Sequence, residues 1–101
     1  MVVYSLYEDI GYVKGNDSVE ALFDKVIFAD GSAPVFLEEF KDRESAMEKL
    51  RIYRNEIDVR GNGKTRVHVF WVQEEHFDDE GRFAYSGDID YLLDRVHVDY
   101  M

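Results

Sequence analysis

The sequence contains no cysteine, a single proline in 101 residues and no apolar run longer than four. Without cysteine there is no disulfide, no thiolate nucleophile and no cysteine-ligated zinc. The absence fits a reducing compartment, so a cytoplasmic location is expected. Apolar runs of four fall far short of the ~20 residues a membrane helix needs. The first base is Lys14, and Glu8 and Asp9 interrupt the apolar start, so no basic-then-apolar targeting segment is read there. Bases are scarce as well: 12 Lys and Arg stand against 22 Asp and Glu, a formal net charge of −10. Such a field repels nucleic acid and anionic membrane over most of the surface and favours a cationic partner.

What the chain does have is core material and a split of charge. Seven Phe, seven Tyr and one Trp argue against disorder, and 101 residues are read as one domain, residues 1–101, with a core of its own. Residues 1–40 carry net −6, residues 41–66 net +3 and residues 67–101 net −7.

Periodicity gives a coarse order of elements. Residues 2–8 are β-branched and aromatic and read as a strand, and residues 10–16 read as a glycine-bearing loop. Residues 17–27 read as a short helix, capped by Asp17 with Glu20 three positions on. The rival reading turns residues 25–29 at Asp30-Gly31 into a hairpin with a strand at 34–40. Pro34 suits an edge or first strand position. The strongest helical pattern spans residues 43–57: Asp42 serves as N-cap, and Ala46, Leu50, Tyr53 and Ile57 share one face with Ile52 opposite. Gly61-Asn62-Gly63 then ends that region.

Residues 65–74 form the strongest strand, apolar on both faces and therefore central. Residues 75–81 make a charged loop, residues 82–86 pair back as a hairpin, residues 88–94 read as a helical turn, and residues 95–100 as a last strand. The expected fold is α+β: a small, mostly antiparallel sheet of four to five strands, the 43–57 helix across one face, and one or two short helices. Something must cover the second face. The candidates are the 17–27 and 88–94 segments or a second copy of the chain in a two-fold homodimer.

Motifs for chemistry are few. Gly63-Lys64-Thr65 resembles the end of a P-loop, but Asp58 stands where its first glycine belongs, and a strand follows where a helix should. Asn16-Asp17-Ser18 matches a glycosylation sequon without a secretory context. His68, His76 and His97 are scattered and show no zinc spacing. No serine sits in a nucleophile elbow. Acid pairs such as Asp88 with Asp90 do not stand out from an acidic surface. Lys41, Lys49, Arg51 and Arg54 lie on different sides of their helix among acids, which weakens any phosphate-binding patch. No catalytic residue, cofactor or metal ligand is therefore assigned.

Glu74, Glu75, Asp78, Asp79 and Glu80 concentrate carboxylates on one hairpin, without EF-hand spacing. They form the candidate acidic interaction surface. The expectation is a small acidic binding or regulatory protein that acts on a protein partner with a basic surface and binds neither nucleic acid nor membrane. Two other readings stay open. One is a nucleic-acid mimic that inhibits a nuclease or DNA-binding protein, since carboxylates in a row can imitate phosphates spaced ~1.7 Å along the duplex axis. The other is a small-ligand or metal-dependent activity in a pocket.

Overall fold

A computed structural model of the chain describes residues 1–15, 17–60 and 63–100. The elements are β1 (Val2–Lys14), α1 (Val19–Ile27), β2 (Val35–Phe40), α2 (Arg43–Leu50), β3 (Asn55–Val59), β4 (Lys64–Phe77), β5 (Phe83–Asp90) and β6 (Val96–Tyr100). Among the described residues the fold is α+β, with one six-stranded mixed sheet and two helices. The strands run β2-β1-β4-β3-β6, and β5 also pairs with β4. β1 lies antiparallel along almost all of β4, from Val2 opposite His76 to Lys14 opposite Lys64. On its other side β4 is shared: β3 pairs with Thr65–His68, and β5 with Val72–Phe77. β3 and β6 are parallel, with Ile57 opposite Val98.

β4 is central because it is apolar on both faces. Val67, Val69 and Trp71 point to one side and Phe70 and Val72 to the other, and all five are buried. On the first side α1 lays down Leu22, Phe23 and Val26 with Ile57 from β3. On the second, α2 contributes Ala46 and Leu50 against Leu6, Phe70 and Val72, with Tyr53 stacked on Phe70. Each helix thus covers one face, and the two clusters meet back to back through β4. Burying a side chain such as Leu50 contributes about 1.5–3 kcal/mol.

The fold corrects several expectations. The 43–57 helix ends at Leu50, and Asn55–Val59 is a strand. Asn55 commits that segment to the sheet. Its Oδ1 accepts from the Phe70 N–H (2.8 Å), its Nδ2 donates to the Leu92 carbonyl (3.0 Å), and its N–H donates to the Arg95 carbonyl (2.8 Å). Ile57 consequently packs under α1, not on the face of α2. Residues 10–14 are strand, not loop, because β1 continues through Gly11, against which α1 packs; a Cβ there would stand 2.8 Å from Val26 Cγ2. Residues 88–90 complete β5, and a turn leads to β6, so the third helical segment is absent.

Other expectations hold. Asp42 caps α2 by accepting from the Ser45 N–H (2.8 Å). Residues 19–27 are helical, which sets aside the rival hairpin, although the cap is Ser18, accepting from Ala21 N–H (3.2 Å), and Asp17 instead pairs with Lys25. Pro34 precedes the edge strand β2. Asn16 of the sequon and Gly61 and Asn62 of the glycine turn lie outside the described residues.

Candidate functional site

The acidic hairpin is built around Asp78. Gly81 adopts φ +78°, a left-handed conformation that suits glycine, and the chain reverses in three residues between Asp78 and Arg82. Asp78 Oδ1 accepts from the N–H groups of Glu80 and Arg82 (both 2.9 Å). These bonds, led by the Arg82 N–H, hold its carboxyl below the usual carboxylate range. Arg82 turns back onto Asp78 (3.3 Å) and Glu80 (2.6 Å). Asp79 is exposed at the tip.

The other two acids of the candidate surface stand on β4 and point to opposite faces, since side chains alternate along a strand. Glu74 pairs with His76, which stacks on Tyr85 at 4.3 Å between ring centroids. Glu75 accepts from Ser5 Oγ, from Tyr7 Oη (2.8 Å) and from Gln73 Nε2 (3.4 Å). Tyr7 also stacks on Trp71 at 5.8 Å. Burial first, then the bond to Glu75 and its charge, push the Tyr7 phenol up to about 12. The five carboxylates therefore share a hairpin but not a row. Three are grouped at its tip, one is hydrogen-bonded to His76 and one belongs to a part-buried network with Ser5 and Tyr7.

The remaining candidates take the following places in the fold. Ser5 is buried and donates to a carboxylate, so its hydroxyl does not face solvent. Lys64 begins the central strand, with Thr65 opposite Val13 and Val59, so Gly63-Lys64-Thr65 leads into β-structure and not into a helix. His68 binds Glu8 (2.8 Å), and Glu56 of β3 stands between it and His97 in the cross-strand row, so the two imidazoles are not neighbours. Among the described residues no group of three or more His, Asp or Glu is placed to hold a metal ion. A recess of about 340 Å³ opens between α1 and β3/β6, lined mostly by Leu22, Ile57, Val59 and Val98 with Asp17 at its rim.

At least four of the eight bases of the positive segment are paired within the fold. Arg43 holds Asp90 (3.0 Å), Lys49 reaches Glu38 (3.8 Å), Arg54 pairs with Glu56 (3.2 Å) and Arg66 with Asp58 (3.2 Å). These contacts tie α2 to β2 and β5 and lace the β3–β4 hairpin. Acids outnumber bases by ten, so carboxylates such as Glu20, Asp30, Asp79 and Asp94 remain on the surface beyond these pairs.

One further feature is topological. β2 pairs with β1 from Tyr4 to Glu8, whereas β1 runs on to Lys14. Past Glu8 that side of β1 borders a groove of about 320 Å³, walled by Val26 of α1 and by the loop from Ala29 to Ala33. Asp9 sits at its mouth, accepting from Ser32 Oγ (2.7 Å) and from the Ile10 N–H (2.8 Å). No protein-family model, no curated protein and no solved structure matches this chain.

Proposed function

We propose that this chain is an acidic binding protein that works by associating with another protein whose contact surface is basic. The observation that carries the reading is the fate of the positive segment. Arg43, Lys49, Arg54 and Arg66 fold back onto Asp90, Glu38, Glu56 and Asp58, so at least half of the segment's eight bases are paired within the fold of a chain whose formal net charge is −10. A field of one sign steers an oppositely charged partner and raises the association rate. The hairpin tip, Asp78 to Glu80, is the contact proposed for it, with Glu74 and Glu75 set behind.

The test is affinity capture from the source cells, then reconstitution with the purified partner. Binding should weaken by about tenfold or more from low to high salt, and by a similar factor when Asp79 and Glu80 are both replaced by Lys. Both side chains are exposed, and Asp78, which holds the turn, is kept, so the fold should survive the change. Binding indifferent to both salt and charge reversal would overturn the reading. Competition by duplex DNA would identify the partner as a nuclease or DNA-binding protein and the chain as a nucleic-acid mimic.

A further inference from the structure

We infer that the exposed edge of β1 beyond Glu8 is a strand-addition site that takes an extended segment of the partner, alternating basic and apolar residues; the inference rests on the reading of the chain as a binder of a basic protein. The backbone directions follow from the register. Met1 and Phe77 exchange both main-chain bonds (3.1 and 2.8 Å), and the pairing from Val2 opposite His76 to Lys14 opposite Lys64 is unbroken. In an antiparallel ladder residues alternate in direction, so odd-numbered residues of β1 bond to β4 and even-numbered ones turn away. Two contacts agree: the Ile10 N–H is taken by Asp9 Oδ1, and the Lys14 carbonyl accepts from Lys25 Nζ (3.2 Å). Between them, the Ile10 carbonyl and both main-chain groups of Tyr12 face outward, and no protein group among the described residues pairs with them.

Unpaired strand edges are usually blunted by proline, a bulge or a covering element. Here the edge instead borders the groove walled by α1 and the 29–33 loop, which is the geometry of recognition by strand addition. The side chains state what would fit. On the sheet face away from α1, Ile10 and Tyr12 are 45% and 64% exposed and offer an apolar strip. On the groove side stand Asp9 and Asp30, while Lys25 is already held by Asp17. An incoming strand presents successive side chains to opposite faces. It would lay apolar groups over Ile10 and Tyr12 and lysines or arginines toward Asp9 and Asp30. A second copy of this chain would instead bring its own formal charge of −10 to an edge whose surrounding segment, residues 1–40, already carries net −6.

The probe is the capped peptide Lys-Val-Lys-Val-Lys-Val-Lys, titrated into the isotopically labelled full chain and followed by amide NMR. Saturable shifts should centre on Ile10 to Val13, and the Tyr12 amide should gain protection from exchange. A peptide methylated on alternate backbone nitrogens should bind at least tenfold more weakly, as should the peptide's glutamate counterpart. Tyr12→Lys, an exposed change, should weaken binding comparably, and Tyr12→Pro more. Equal binding of the methylated peptide would overturn strand addition. So would shifts confined to residues 78–80, although the reading as a binder of basic proteins would then stand. No shift with the peptide, together with a captured partner that is lost on hairpin charge reversal, would also refute this site alone. A sedimenting dimer that protects Tyr12 without peptide would show that a second copy occupies the edge and overturn the peptide assignment.

Discussion

Single residues divide here into those whose role is written in their neighbours in sequence and those whose role is set at long range. Asp42 belongs to the first kind, since an N-cap needs only the next turn of backbone. Leu50 was likewise readable as core. Leu50→Ala should cost about 2–5 kcal/mol, whereas Ile52→Ala, 66% exposed, should stay within about 0.5, as urea unfolding midpoints would show. Asn55 belongs to the second kind: its partners Phe70 and Leu92 lie 15 and 37 residues away, so no local pattern marks it. Tyr7 is another. Its pKa is raised from 10.0 to about 12, so the folded state holds the phenolic proton more tightly than the unfolded state. The resulting stabilisation is complete below pH 10 and is lost as pH rises through 12. The stability gap between wild type and Tyr7→Phe should therefore be constant at neutral pH and narrow across that alkaline window. A gap that stayed constant to pH 12 would contradict the assignment.

At the level of elements, the strongest periodicity misled in one place. Ala46, Leu50, Tyr53 and Ile57 fit a helical stripe by spacing, but Asn55–Val59 also alternates polar and apolar residues with period two, and the sheet wins because it buries Asn55 and Ile57 together. The end of β1 was hidden by its glycine. Gly11 reads as loop punctuation, yet it is there to admit α1, a cause visible only once helix and strand meet. Gly11→Ala should force Val26 aside and destabilise by about 1–3 kcal/mol. Adding Val26→Ala removes the overlap, so a double-mutant cycle should show coupling well beyond about 0.5 kcal/mol. The acidic cluster, by contrast, was legible as composition but not as geometry. Alternation along β4 separates Glu74 from Glu75, and the turn gathers only Asp78, Asp79 and Glu80.

The whole molecule is long for its size. Its Cα radius of gyration is 14.6 Å and its extents are 50 × 27 × 18 Å, against about 13 Å for a compact chain of 100 residues. The excess comes from two strands of 13 and 14 residues laid side by side. Solution X-ray scattering should return an elongated particle. The same pairing makes the topology non-local: β1 meets β4 across 50 to 74 residues of chain. Refolding from urea should accordingly take milliseconds to seconds, in the range of β-rich domains rather than helical bundles, when followed by Trp71 fluorescence.

That long pairing also sets an order of events on the ribosome. β1 is made first, but the strand that buries it is finished only 63 residues after Lys14, at Phe77. At translation rates of about 5–20 residues per second, this leaves β1 without its main partner for about 3–13 s. During that interval β2 is the one strand partner available to it, and only along Tyr4 to Glu8. The nascent chain therefore carries Ile10 to Val13 without a strand partner on either side until β4 is complete.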